Sequence, residues 1–316
     1  MSDDEVRPLR IGTRGSDLAL WQAREVARRL ACESEVVVIK TEGDRQQEIA
    51  LQGTSTTGFF TKAIERRLAD GEVDLAVHSL KDLPTQLDSA LELGAVLPRA
   101  PITDMLLVHP DWADDSRVFP VREGCVVGAG SLRRQALVRL YGAQARPELI
   151  RGNVPTRVRK CRDGEYGAVV LARAGVERLG LDLAPLGVWE LSSDHWLPAP
   201  GQGAVAVEIR RGDERTKAAL VIVGDESTAS AVTLERRLLS NFEGGCHTAF
   251  GAHAVATDEG WTVDIGMDRG ELGWGQIRFV GSFERCVELG PPDLERFEPR
   301  SISVRDELCR EWTDER

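Results

Sequence analysis

Val73-Asp74-Leu75-Ala76-Val77-His78-Ser79-Leu80-Lys81-Asp82-Leu83-Pro84 changes character halfway along. The apolar run 73–77 reads as a buried strand, and Pro84 closes the polar segment beyond it, because proline cannot donate to a ladder. Between them stand a lysine and an acid at the strand's exit, a compact acid/base and ion-binding arrangement. Open α/β sheets collect polar chemistry at that place, since ligands bind beyond the carboxyl ends of strands, where helix N-termini present free N–H groups. The stretch therefore predicts an α/β fold with its site at the strand ends. His78, on the apolar side of the change, is expected beneath the site and not in it.

The neighbouring sequence repeats the alternation of short apolar runs with helical patterns. A strand is expected at 9–13, then a helix capped by Ser16 and running to about 30, with Leu18, Trp21, Val26 and Leu30 on one face. A strand at 36–41 and a helix at 61–69 precede the opening stretch. After Pro98 and Pro101 the pattern restarts: strands at 105–109 and 125–128, a helix capped by Ser131 to about 141, a short strand at 149–150, a helix at 156–162 and a strand at 168–172. A further strand at 204–209 follows the turn-rich Pro198-Ala199-Pro200-Gly201-Gln202-Gly203 and reads as returning to the first half. Beyond about 223, one helix at 227–242 and strands at 261–265 and 276–283 predict a small α+β domain. The expected division is 1–101 with 198–222, then 102–197, then 223–316. No internal repeat or low-complexity segment stands out.

Composition narrows the function classes. At 316 residues, 42% hydrophobic and 29% charged, the chain suits two or three globular domains. A formal charge of −11 argues against nucleic acid or an anionic membrane as partner, because phosphate needs a basic face. Six cysteines without a C-x-x-C pair argue against a disulfide framework or a zinc site, and no metal is expected. The acidic start MSDDEVRPLR lacks an apolar leader and no run is long enough to span a membrane, so a cytoplasmic protein is expected. Of 40 basic residues only five are lysines, leaving 35 arginines, the side chain that forks onto carboxylates.

Where the arginines fall gives that excess meaning. Thr13-Arg14-Gly15-Ser16 lies between a strand and a helix start. Gly128-Ala129-Gly130-Ser131-Leu132-Arg133-Arg134 places two arginines in a first helical turn, where the dipole disfavours cations unless an anion binds between them. Arg151-Gly152-Asn153-Val154-Pro155-Thr156-Arg157 is another strand-to-helix transition, and Arg178 is grouped with these. An arginine-lined cleft on an acidic protein suits a ligand rich in carboxylates; no phosphate-loop or dinucleotide fingerprint is present. Separately, Glu243-Gly244-Gly245-Cys246-His247-Thr248 sets one cysteine between residues that leave its thiol room. That thiol reads equally as a nucleophile, a metal ligand, a covalent anchor or an accident.

With these residues in view, the chain resembles the porphobilinogen deaminase (hydroxymethylbilane synthase) family. The resemblance is carried, in order, by IGTRGSDLALWQA, GFFTKAIERRLADGEVDLAVHSLKDLPT, VGAGSLRRQALVRL, LIRGNVPTRVRK, LARAGVERLGL, LPAPGQGAVAVEIR and ERRLLSNFEGGCHTAFGAHA, from about residue 10 to 254. It implies two lobes like those of periplasmic binding proteins, facing a cleft, and a small C-terminal α+β domain that carries the cysteine. Two positions depart from the family's usual pattern: Thr57 stands where a lysine is usual, and Ala129-Gly130-Ser131 where Thr-Ser-Ser is often found.

The resemblance further implies that Cys246 holds a dipyrromethane cofactor by a thioether. Lys81, Ser131, Arg133, Arg134 and Asp82 would contact the cofactor, with Asp82 the catalytic carboxylate. Arg14, Ser16, Phe60, Ser79, Arg151, Asn153, Arg157, Arg178 and Gln202 would bind substrate. The implied reaction joins four porphobilinogens head to tail with loss of ammonia on that primer, then releases hydroxymethylbilane by hydrolysis, in tetrapyrrole and haem biosynthesis. Implied partners are porphobilinogen and the growing polypyrrole, and the protein is expected to be a monomer. The alternative is a non-catalytic carboxylate-binding protein on the same two lobes, which would need neither Asp82 nor Cys246.

Overall fold

The structure, a computed structural model, describes residues 7–40, 61–243, 249–299 and 308–312. Phe60 and Cys246 lie outside these residues, as does Thr57. The chain divides into two compact units, Met1–Ala100 with Gly203–Thr233, and Pro101–Gln202 with Leu234–Arg316.

The first unit is built on β1 (Leu9–Thr13), β2 (Ser34–Val38), β3 (Leu75–Ser79), β4 (Leu91–Val96) and the late strand β10 (Val205–Arg210). The order is β2-β1-β3-β10-β4, with β1 parallel to β2 and β3, and β10 antiparallel to β3 and β4. Alternation sends Leu75, Val77, Val205, Val207 and Ile209 to one face, where Ala23 and Val26 of α1 (Asp17–Arg29) cover them. Ala76 faces the other way, against Ile64 and Leu68 of α2 (Lys62–Ala69). A strand sandwiched between two helical layers must be apolar throughout, which is why 73–77 shows no polar face apart from Asp74. Each fully buried Leu, Ile or Val adds about 1.5–3 kcal/mol.

The second unit carries β5 (Asp104–Val108), β6 (Val126–Ala129), β7 (Arg146–Glu148), β8 (Ala168–Ala172), β9 (Gly187–Leu191) and β15 (Cys309–Glu311). Their order is β15-β9-β5-β8-β6-β7. Here β6 is parallel to β7 and β8, while β5 is antiparallel to β8 and β9. The helices are α3 (Leu132–Tyr141), α4 (Val154–Arg162) and α5 (Arg173–Leu179). Apart from β15, this is the first sheet over again: β6, β7, β8, β9 and β5 take the places of β1, β2, β3, β4 and β10. The restart of the pattern after Pro98 and Pro101, two similar α/β halves in sequence, is matched by this topology; the residues themselves carry no internal repeat, because apolar strands of any origin look alike.

Two helices follow β10: α6 (Glu214–Leu220), and α7 (Glu226–Glu243), which belongs with the second unit from Leu234 onward. A four-stranded antiparallel sheet, β11 (Phe250–Thr257), β12 (Gly260–Asp268), β13 (Trp274–Gly281) and β14 (Glu298–Pro299), packs Val263, Ile265 and Ile277 against Leu234 and Leu238 of α7 and Cys286 of α8 (Phe283–Val287). Trp274 and Ala249 join the core around Trp196 and Leu197.

Two expectations need correction. The strand placed at 149–150 is β7, three residues earlier; it is a polar sheet edge with Arg146 and Glu148 exposed, so hydropathy pointed past it to buried Ile150. The strand expected from 36 begins at Ser34. β4, β9 and β15 were not foreseen, because an alternating or very short strand gives no apolar run.

Candidate active site

In each unit the sequence-singled residues gather at strand exits. β1 ends at Thr13, whose buried hydroxyl donates to the Ala19 carbonyl, and Arg14 and Ser16 follow. Ser16 caps α1, its hydroxyl accepting from the Ala19 N–H at 3.4 Å. β3, next to β1, ends at Ser79, and the 3-10 turn Leu80–Asp82 leaves the sheet there. Leu80 is buried, anchoring the turn through its side chain and through its N–H to the Ala204 carbonyl at 3.1 Å. The same turn leaves Lys81 half-buried and Asp82 exposed. The lysine and the acid are thus held out of the core by one buried leucine between them and the strand.

Beneath this exit lies polar machinery that sequence reading missed in part. The Ser79 hydroxyl accepts from Nε2 of Gln22, a buried side chain on α1, at 2.9 Å. His78 is buried as expected, with Nε2 2.9 Å from a carboxylate oxygen of Glu208 on β10. Glu65 of α2 lies on the same side of the sheet. Burial chiefly pushes its carboxyl above the ordinary value; the Glu208 and Asp88 charges add to that, while Thr61 and His78 work against it.

In the second unit, Ser131 and Asn153 both cap helices. The Ser131 hydroxyl accepts from the Arg134 N–H at 3.3 Å, and Asn153 Oδ1 accepts from the Thr156 N–H at 3.0 Å. The capping role of Asn153 was legible only as one of the residue types that start helices. Arg157 folds back from α4: its Nε donates to the Gly152 carbonyl at 2.8 Å, and its guanidinium lies on Gly130. Gly152 has φ +111°, the left-handed region that favours glycine. Arg151 is exposed, and Arg178 lies half-buried in the last turn of α5.

Arg133 and Arg134 correct the sequence argument. The anion between them is the protein's own Asp104, fully buried at the start of β5. Arg134 forks onto it with Nε at 3.1 Å and Nη2 at 2.6 Å, and Arg133 Nη2 donates to it at 2.8 Å. Trp196 Nε1 and Gln202 Nε2 also donate to it, at 3.0 and 2.9 Å. Arg133 Nη1 and Arg134 Nη1 donate to the Leu197 and Val170 carbonyls, while Arg133 Nε is buried without a hydrogen-bond partner among the described residues. Two guanidinium groups against one carboxylate leave one net positive charge under the first turn of α3. Burial chiefly, and then Arg134, lower the Arg133 pKa, while Asp104 opposes them.

The Gln202 side chain is enclosed, donating to the Ile102 carbonyl at 2.6 Å and to Asp104, and so supports the cluster. The neighbouring Gly201 N–H donates at 2.7 Å to Glu235 of α7, whose other oxygen accepts from the Ala254 N–H. Asp104, Trp196 and Glu235 escaped sequence reading. The available signal for Asp104 was one acid heading the apolar run Asp104-Met105-Leu106-Leu107-Val108, since a buried acid needs a partner. Among the described residues no three His, Cys, Asp or Glu are grouped to hold a metal ion, and no helix is long and apolar enough to cross a membrane.

Duplicated α/β sheets, with cations, capped helix starts and one exposed carboxylate at their strand exits, define a two-lobed α/β protein suited to carboxylate-bearing ligands. A family model described as porphobilinogen deaminase, dipyromethane cofactor binding domain, matches residues 9–218. The probable porphobilinogen deaminase of Methanocaldococcus jannaschii is 42% identical over 293 residues, 89% of this chain and 97% of that one. The porphobilinogen deaminase of Cytophaga hutchinsonii is 38% identical, over 90% and 92% of the two chains. Among solved structures, a periplasmic VFT2 domain of Bordetella pertussis BvgS aligns over 74% of this chain and 94% of its own, at 16% identity and a TM-score of 0.42. The chain belongs to the porphobilinogen deaminase family.

Proposed function

We propose that this protein is a hydroxymethylbilane synthase: a transferase that condenses four porphobilinogens on a dipyrromethane primer held by Cys246 and then releases the linear product by hydrolysis. The observation that carries the reading is Lys81 and Asp82 on the Leu80–Asp82 turn at the end of β3, a lysine and an exposed acid at a strand exit, in a chain whose matched domain is the cofactor-binding domain of this family. That pairing, together with relatives named as deaminases, disfavours the purely binding alternative.

The donor set suits the cofactor, because its acetate and propionate groups need cations and free N–H groups. Lys81, Ser131 and the net charge of the Arg133–Arg134–Asp104 trio would hold them, the helix start at α3 adding its own dipole. When bound, the dipyrromethane would supply the free pyrrole carbon to which the first porphobilinogen is joined as ammonia leaves, each later unit joining the ring added before it. Asp82 accepts from the pyrrole N–H, offsets the positive charge that develops on the incoming ring, and exchanges a proton at its carboxylate oxygen. Arg14, Ser16, Ser79, Arg151, Asn153, Arg157 and Arg178 bind the carboxylates and edges of substrate and growing chain, and Phe60 packs against a ring. Residues 223–316 serve as the attachment domain. We read the protein as a cytoplasmic monomer; the described cysteines are free thiols, as a reducing compartment keeps them.

The test is incubation with porphobilinogen, following ammonia and hydroxymethylbilane together. Product from the native protein and almost none from Asp82→Asn supports the reading. Binding of porphobilinogen without ammonia release contradicts it.

A further inference from the structure

Asp104 is a heavily ligated side chain of the second unit. It is fully buried and accepts from donors on Arg133 (Nη2), Arg134 (Nε and Nη2), Trp196 (Nε1) and Gln202 (Nε2). These donors come from three separate parts of the chain. Arg133 and Arg134 open α3, directly after Ser131. Trp196 sits in the turn after β9. Gln202 is the last residue of the unit before the chain passes to Gly203. Gln202 also donates to the carbonyl of Ile102, so the chain's first entry into this unit and its exit toward Gly203 are tied together beside one carboxylate.

Packing alone does not call for such an arrangement. Well-packed apolar residues replace buried ion pairs at little cost in stability, so a buried triad is weak evidence for a stabilising purpose. What the triad does impose is geometry. A guanidinium forked onto a carboxylate through Nε and Nη2 has a fixed plane, and the second guanidinium must share the remaining lone pairs of Oδ2. The surplus positive charge is thereby held at one place under the helix start that Ser131 caps, instead of being spread over rotamers of two free arginines.

We propose that Asp104 is a positioning residue for the deaminase reaction: by fixing Arg133 and Arg134 it sets the place and amount of positive charge offered to the cofactor's carboxylates. The inference rests on the function proposed above. It assigns Asp104 no contact with substrate and no proton transfer. Its effect therefore falls on loading and KM before it falls on the chemical step. Removing the carboxylate leaves two buried cations without a counter-charge; they repel each other and turn toward solvent. Lengthening it by one methylene keeps the charge and displaces the pair.

The experiment compares the wild-type protein with Asp104→Asn and Asp104→Glu. Intact mass before and after incubation with porphobilinogen gives cofactor occupancy, and steady-state rates on the loaded fraction give KM and kcat separately. Circular dichroism checks the fold. Expected is an occupancy in Asp104→Asn below a tenth of wild type, with KM at least tenfold higher on the loaded fraction and kcat within threefold. Asp104→Glu should recover more than half the occupancy while KM stays about threefold high. Occupancy and KM within twofold of wild type in a folded Asp104→Asn overturn the inference. Should Asp104→Asn fail to fold, Asp104→Glu decides: a raised KM at unchanged kcat supports positioning, and wild-type KM and loading overturn it. A wild-type protein found at its bare polypeptide mass both before and after incubation overturns the enzyme reading and this inference with it, whereas a loaded wild type beside an unimpaired Asp104→Asn overturns this inference alone.

Discussion

Arg157 lies against Gly130 so closely that a Cβ on that glycine would stand 2.5 Å from the arginine's Nη1 and 3.2 Å from its Cζ. The space over residue 130, in the loop after β6, is thus filled by the end of the Arg157 side chain from α4. In the run Ala129-Gly130-Ser131 the room left at position 130 is taken by a guanidinium.

Gly130→Ser should therefore displace the Arg157 head group without unfolding the protein, since the obstructing atoms end a flexible side chain. Stability is expected to change by no more than about 1 kcal/mol. KM for porphobilinogen should rise roughly tenfold, the equivalent of one charge-assisted contact. Thermal unfolding beside steady-state kinetics checks this, and an unchanged KM would show that Arg157 does not meet the ligand.

Asp82 is exposed on a turn anchored by Leu80, so Asp82→Asn should leave stability within about 0.5 kcal/mol of wild type. Turnover should fall by roughly 100- to 10,000-fold if the carboxylate manages a proton in the transition state. Wild-type-like rates would mean that the carboxylate has another role.

How much of this was legible in the sequence depends on what each residue has to bury. Strands covered by helices on both faces declare themselves as apolar runs, and Leu9–Thr13 and Ala168–Ala172 fall where the pattern put them. Strand exits declare themselves too, because Ser16, Ser131, Lys81 and Asp82 interrupt that apolar pattern. Edge strand β7 did not, being polar, and neither did β15, three residues long. The partners of buried polar groups were the least legible. Asp104, Gln22 and Glu208 lie 30, 57 and 130 residues from Arg134, Ser79 and His78, and nothing local links such pairs. For that reason the anion expected between Arg133 and Arg134 is not identifiable from sequence as Asp104.

Glu65 gives the clearest pH prediction. Its carboxyl is raised above its ordinary value of 4.5, chiefly by burial, so the folded state holds the proton more tightly than the unfolded chain. Stability from this group is fully present below about pH 4.5 and is lost as pH rises through the folded value. Glu65→Gln should match wild type in acid and exceed it at neutral pH. Melting temperatures across pH 4 to 8 check this; parallel curves would contradict it.

The cysteines should sort by environment. Burial pushes the Cys125 thiol up to about 12, and burial with a smaller contribution from Cys125 pushes Cys161 up to about 12 as well. At pH 8 each is about one part in ten thousand thiolate. In the native protein an alkylating reagent should modify exposed Cys32 and leave Cys125 and Cys161 untouched until denaturant is added. Peptide mapping after timed alkylation reads this out, and early labelling of Cys161 would contradict the packing around it.

The enzyme reading stands or falls on whether this chain builds and keeps its own primer on Cys246. Intact mass of the denatured protein decides it, wild type beside Cys246→Ala, each before and after incubation with porphobilinogen. Expected is a wild-type excess equal to two porphobilinogens less two ammonias, absent from the variant under every condition. A wild-type protein that stays at its bare polypeptide mass after incubation, or a Cys246→Ala protein that gains the same excess, would contradict it.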